Sequence, residues 1–214
     1  MKKNFLKNKE FIFIDFDGTI KQSDDVKAKA FIKIFGNKIK NRQKKRITNH
    51  HYENLGVSRF VKIPLYLKWS GIKQTKKNTV KYSRLFSKIV INRVCSSKWV
   101  LGAKKFIKLN QNKKIILITA TPNKEIIKIL KKLKIYDYFY KIYGSPIIKS
   151  EIVKNFLNSY NSNQKNYIYI GNSLSDYYAA KVNKIFYINI GKFKNLKKKY
   201  IFIKNFKTLN DLKT

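Results

Sequence analysis

Two aspartates two residues apart, Asp15 and Asp17, close a run of large apolar residues in "EFIFIDFDGTI", residues 10–20. The chain holds only 11 acidic residues against 49 basic ones, so paired carboxylates at one spot need a reason. The pair suits phosphoryl transfer. One carboxylate can attack phosphorus and form an aspartyl-phosphate, dividing a difficult step into two. The second can protonate the departing oxygen and then activate water. Phosphoryl oxygens need compensating charge and donors, for which Lys149, the Thr119 hydroxyl and the N–H groups of the Gly18–Thr19 loop are candidates. Two carboxylates facing a dianion repel it, which calls for a divalent cation, Mg²⁺ by its preference for oxygen ligands.

For these groups to meet, they must stand at the ends of neighbouring strands. Three short β-branched runs, "FIFID" at 11–15, "KIILIT" at 114–119 and "NYIYIG" at 166–171, are apolar on both faces, as strands of a buried parallel sheet are. A fourth candidate is "KIFYINI" at 184–190, and helix-period segments cover 123–133, 150–160 and 174–182. This alternation predicts an α/β, doubly wound parallel sheet, which binds ligands beyond the carboxyl ends of its strands. Asp15, Thr119 and Gly171–Asn172 end three strands, and a turn before the helix near 150 carries Lys149, so four segments converge on one crevice. Between Gly18 and Ala103 no strand-like run appears. Apolar side chains at helical spacing over 24–35 and 78–94, with a loop at 71–78, predict an all-helical insertion. The expected division is a core of residues 1–20 and 100–214 and a helical cap of residues 21–99.

"DFDGT" after an apolar strand, Thr119 in "IILIT", Lys149 in "GSPIIKSE" and "IGNSLSD" at 170–176 resemble the four ordered motifs of the haloacid dehalogenase-like phosphatases, in particular the phosphoglycolate phosphatase and β-phosphoglucomutase-like group. The resemblance implies a Rossmann-like core with a cap inserted after the first motif. It makes Asp15 the nucleophile and Asp17 the general acid/base, with Thr119 and Lys149 on the phosphoryl group. Mg²⁺ would sit on Asp15, the Asp17 backbone carbonyl and the fourth motif, here Asn172 and Asp176. Asp17 points to phosphoryl rather than halide chemistry, because a halide leaves without a proton. Asn172 stands where the family usually has Asp, which removes one negative charge from the metal site. Ser173 and Ser175 read as helix-capping residues.

"GVSR", 56–59, resembles a cap segment of β-phosphoglucomutase in which an arginine grips the distal phosphate. Arg59 then clamps a second anionic group; the alternative is a helix capped by Ser58 with Arg59 in solvent. The expected activity is Mg²⁺-dependent hydrolysis of a small phosphate monoester. The alternatives are a phosphomutase and a nucleic-acid-associated phosphatase or inactive binder.

The formal charge of +38 bears on that last reading. Its lysines are spread along the whole chain beside many Ile and Asn, whereas a nucleic-acid surface gathers cations into a stripe. The densest run, "KIKNRQKKRITNHH" at 38–51, reads as the wet face of a helix. His50 and His51 are adjacent and diverge by roughly 100° on a helix, a poor metal pair. With Cys95 alone there is no intrachain disulfide, which suits a reducing compartment. The opening "MKKNFLKNKEFIFID" begins like a signal segment, but Lys7, Lys9 and Glu10 interrupt it, and no apolar run approaches a membrane span. The expectation is a cytoplasmic protein without membrane contact.

Overall fold

The computed structural model describes residues 6–160, 162–191 and 200–211. The opening Lys2 and Lys3, and parts of the expected core range 100–214, lie outside the described residues. Strands β1 (Phe11–Ile14), β2 (Lys114–Pro122), β3 (Lys141–Ser145), β4 (Tyr167–Gly171), β5 (Phe186–Ile190) and β6 (Ile201–Ile203) form one six-stranded sheet in the order β3-β2-β1-β4-β5-β6. Every pairing is parallel. This is the doubly wound α/β arrangement, with β1 central and the strand order reversing beside it.

The sheet's two faces carry different chemistry. Alternation along the strands sends Ile12, Ile14, Ile115, Leu117, Ile168 and Ile170 to one side. Phe11, Phe13, Ile116, Ile118, Tyr167 and Tyr169 go to the other. On the aromatic side Phe11 stacks on Tyr167 with centroids 4.6 Å apart, and Phe13 meets Phe156 edge-on at 5.3 Å. Helices α7 (Lys149–Tyr160) and α8 (Leu174–Val182) cover that face. Helices α5 (Ala103–Leu109), α6 (Asn123–Lys132) and α9 (Phe206–Asp211) add to the aliphatic cluster.

Helices α1 (Asp24–Lys33), α2 (Asn41–Glu53), α3 (Arg59–Trp69) and α4 (Lys76–Ser96) stand between β1 and α5. Their apolar faces, among them Phe31, Ile63, Tyr66, Phe86 and Val90, are continuous with the aliphatic side of the sheet. The insertion is therefore packed onto the sheet, and α4 touches α6 directly.

Two strands differ from expectation. β3 ("KIYGS") and β6 ("IFI") are the sheet's edges; each has one neighbour, and neither reads as a long apolar run. β2 continues past Thr119 to Pro122, with a register shift between Ile118 and Pro122, so Thr119 lies inside the strand and not at its end. Among the described residues no helix is long and apolar enough to cross a membrane.

Candidate active site

The ladder between β1 and β4 runs one residue beyond β1, because the Asp15 N–H donates to the Ile170 carbonyl at 3.0 Å. Asp15 is thereby fixed beside Gly171 and Asn172 and is 3% exposed. Lys149, first residue of α7, reaches into the same place: its Nζ donates to Asp15 Oδ1 and to Asp176 Oδ1, both at 2.7 Å. Asp176 lies in the first turn of α8, and the rest of its carboxylate is also engaged. Oδ1 accepts from the Tyr169 hydroxyl at 3.0 Å, while Oδ2 accepts from the Ser173 N–H at 3.1 Å and the Ser173 hydroxyl at 2.6 Å. Ser173 is the N-cap of α8, so one carboxylate both caps the helix and anchors the lysine. Both Asp176 oxygens are thus spent on protein donors.

Burial alone would lower the Lys149 ammonium, but the two carboxylates outweigh it and raise it well above the usual lysine range. It stays charged. Asp15 is pushed from an ordinary 3.8 up to about 8 by burial, with Lys149 opposing and Asp176 and Asp17 adding to the rise. Because two buried carboxylates share one ammonium, Lys149 offsets the effect of burial only in part.

Asp17 is held quite differently. Its Oδ1 accepts from the Ser23 hydroxyl at 2.6 Å, and its Oδ2 from Thr121 Oγ1 at 3.0 Å and from the Lys27 ammonium. Lys27 also donates to Thr121 Oγ1 at 2.8 Å. Burial pushes the Asp17 carboxyl up, but Lys27 and these hydrogen bonds win and hold it below the usual carboxylate range. Ser23, Lys27 and Thr121 are not marked by the sequence motifs. Thr121 follows Thr119 by two residues on the extended β2, and Lys27 is one lysine among very many.

Gly18 (φ +74°) lets the chain turn where no side chain fits: a Cβ there would stand 1.9 Å from Asn172 Nδ2 and 2.4 Å from Asp24 Oδ2. Asn172 Oδ1 accepts from the Thr19 hydroxyl at 3.3 Å, and its Nδ2 donates to Asp24 Oδ2 at 3.3 Å. Asp24 thus brings a carboxylate beside the fourth-motif amide, and burial together with Asp17 pushes it up to about 6. Thr119 is buried, its hydroxyl accepting from the Thr121 N–H at 3.2 Å.

Arg59 is neither in solvent nor free. It is 4% exposed, and Nη1 donates to Glu125 Oε2 at 3.0 Å and to Ser87 Oγ at 2.8 Å, while Nη2 takes the other Glu125 oxygen. The guanidinium lies 4.4 Å from the centre of the Phe86 ring. Ser58 does cap α3, accepting from the Phe60 N–H at 3.3 Å, but the solvated arginine expected with that cap is corrected: Glu125, in the first turn of α6, draws it inward. The pair ties the insertion to α6. Glu125 escaped the motif reading, although in so acid-poor a chain an isolated glutamate just after a strand is itself a signal.

Asp15 and Asp17 share a partly open cavity of about 40 Å³ with Asp24, Lys27, His51 and Lys62 of the insertion. A second cleft of about 330 Å³ shares Gly56, Val57 and Ala120 with it and is lined by Lys149 and the exposed Ile147 and Tyr178.

Residues 12–190 match the family model of haloacid dehalogenase-like hydrolases. The chain belongs to that family. Solved structures share its fold at low identity. A predicted phosphoglycolate phosphatase from Haemophilus somnus superposes with a TM-score of 0.75 at 16% identity, over 98% of this chain and 100% of that one. For a β-phosphoglucomutase from Clostridium difficile the TM-score is 0.71 at 20% identity, over 95% and 98%. CbbY from Rhodobacter sphaeroides, solved in complex with phosphate, gives 0.72 at 13%, over 92% and 95%. No curated protein sequence matches the chain.

Haloacid dehalogenase-like hydrolases generally use Mg²⁺. Among the described residues no three His, Cys, Asp or Glu side chains gather as a ready cation cluster. The charge balance nonetheless fits a cation, since the Asp15–Lys149–Asp176 triad is one positive charge short and only Oδ1 of Asp15 takes a protein donor. A small ion that keeps several waters needs few protein oxygens.

Two outcomes follow for stability. Glu125→Ala leaves the buried Arg59 without its counter-ion and should destabilise the protein by about 3–5 kcal/mol in a denaturant titration; a loss under about 1 kcal/mol means water replaces the carboxylate. Asp15 holds its proton more tightly folded than unfolded. Without metal, stability should therefore be greatest below pH ~4 as regards this group and fall as pH rises toward about 8, by at most about 1.4 kcal/mol per pH unit. Asp15→Asn should flatten that slope and raise the unfolding temperature at pH 8. An unchanged slope assigns the proton elsewhere.

Proposed function

We propose that the protein is a phosphatase acting on a small phosphate monoester through an aspartyl-phosphate on Asp15. The observation that carries this reading is the buried, charged Lys149 ammonium, 2.7 Å from Asp15, an aspartate that lines one cavity together with Asp17. Asp15 first gives up the proton it holds, which Asp17 takes; its freed oxygen then attacks phosphorus, and the P–O bond to the leaving group breaks. Lys149, with the Thr119 hydroxyl and the Gly18–Thr19 backbone, neutralises charge on the transferring group. The departing alkoxide takes a proton from Asp17. In the resting site Asp17 is ionised, but an approaching phosphoryl group is a like charge and raises it, favouring uptake of the proton it then donates. Water next gives a proton back to Asp17 and attacks the phosphoenzyme, releasing phosphate and restoring Asp15.

Mg²⁺ would be held by Asp15, the Asp17 backbone carbonyl and the side-chain oxygen of Asn172, and when bound it supplies charge neutralisation between nucleophile and phosphate. Asp176 acts behind it, keeping Lys149 in place. A cavity of about 40 Å³ takes only a few water-sized groups, which supports a small substrate over a polynucleotide, and the adjoining cleft gives the leaving group a way out.

Asp15→Asn should lower turnover of a good substrate by several orders of magnitude and abolish labelling by ³²P-substrate in acid-quenched protein. Wild-type turnover in that variant would sink the aspartyl-phosphate mechanism. Asn172→Asp should lower the Mg²⁺ concentration for half-maximal activity. It also sets a second carboxylate against Asp24, so the metal-free variant should unfold at a lower temperature than wild type. A Mg²⁺ titration and a melting curve check both, and no change in either means that this loop does not hold the ion.

A further inference from the structure

Lys62 is a buried amine with no carboxylate of its own. It lies in α3 three residues after Arg59, on the same face of the helix, and is 2% exposed. Among the described residues its hydrogen-bond partners are both on His51: Nδ1 at 3.1 Å and the carbonyl oxygen at 3.5 Å. His51 Nε2 lies 3.2 Å from the Asp24 carbonyl, which can only accept. Nε2 therefore carries the ring proton, and Nδ1 offers a lone pair to the ammonium. Burial and Lys62 together push the His51 imidazolium down to about 3, so the ring is neutral and cannot compete for an anion. Lys62 and His51 line the same cavity as Asp15, Asp17 and Lys27.

The other cations there are committed. Lys27 is paired with Asp17, Lys149 with Asp15 and Asp176, and Arg59 with Glu125. Burial and the nearby Lys27 push the Lys62 ammonium down to about 7; Asp24 and Asp17 oppose this, but neither forms an ion pair with it. An ammonium without its water and without a counter-ion is costly, and an anion entering the cavity removes that cost.

We propose that Lys62, oriented by neutral His51, binds a second anionic group of the substrate, a carboxylate or phosphate separated by a short spacer from the phosphoryl group attacked by Asp15. The inference rests on the phosphatase reading and narrows it to short phosphomonoesters with two anionic ends. The narrow cavity sets the spacer: the second group must reach Lys62 on the insertion side, while the rest of the molecule extends into the adjoining cleft of about 330 Å³. Lys62 thereby takes the part that "GVSR" suggested for Arg59, whose guanidinium is already occupied.

The test compares 2-phosphoglycolate, ethane-1,2-diyl bisphosphate and 2-hydroxyethyl phosphate, the last having the same length without the second charge. With Mg²⁺, wild type should show kcat/KM at least about tenfold higher for one of the anionic probes than for the neutral one, as expected for one charge-assisted contact. Which probe gains tells carboxylate from phosphate. Lys62→Met, of similar length, should reduce that preference to below about threefold through KM, and Lys62→Arg should recover part of it. Calorimetric binding of the same probes to Asp15→Asn protein gives the preference independently of turnover. Equal kcat/KM for all three probes in wild type, a measurement that needs no variant, overturns the proposal. So does a preference that survives in a folded Lys62→Met protein, which leaves Lys62 a structural partner of His51. Failure to hydrolyse even 2-hydroxyethyl phosphate, with the binding preference intact, counts against the phosphatase reading and leaves the anion site standing.

Discussion

One ammonium between two carboxylates organises this protein. Lys149 is 5% exposed and bridges Asp15 at the end of β1 to Asp176 in α8. Removing any one of the three from water is expensive, and each is tolerable only because the others are there. The constraint reaches outward. Asp176 caps α8 through Ser173, α8 packs on the aromatic face of the sheet, and Lys149 begins α7 on that same face. Helix starts, strand ends and site charges are therefore fixed together.

The opposite wall of the cavity comes from the insertion, whose side chains merge with the aliphatic side of the sheet. Phe31 and Phe86 give it apolar surface, and His51 and Lys62 give it polar groups. Asp15 and Asp17, the two carboxylates proposed as nucleophile and acid/base, consequently live in unlike surroundings. Asp15 faces a shortage of positive charge and holds its proton, whereas Asp17 is surrounded by donors and loses it. In the resting site the proton therefore sits on Asp15, and attack by Asp15 with protonation of the leaving group by Asp17 requires it to pass from the one to the other.

The central strands are legible in the sequence because burial on both faces leaves an unbroken apolar run, as in "FIFI" and "YIYI". The edges are not, since β3 and β6 each satisfy only one neighbour. Asp15 and Asn172 stand out by position just past strand ends, and Asp17, Lys149 and Asp176 by the ordered motifs that contain them. Lys27 and Lys62 do not: with 49 lysines and arginines in the chain, nothing local separates a cavity lysine from a solvated one. What singles them out is tertiary, namely which helix face the sheet happens to cover. Carboxylates are the opposite case. There are 11, and Asp15, Asp176 and Glu125 are all buried, so here the scarce charge marks the interior.

The joint between Arg59 and Glu125 has a further consequence for movement. A substrate bulkier than the cavity can enter only if insertion and sheet part, and this ion pair spans the seam. When two apolar surfaces separate in water they remain adhesive, to each other and to anything else. Two charges that separate are each taken up by solvent, and the hydration gained offsets much of the attraction lost. The seam thus behaves as a latch rather than a glue: directional and specific when shut, and water-compatible when open.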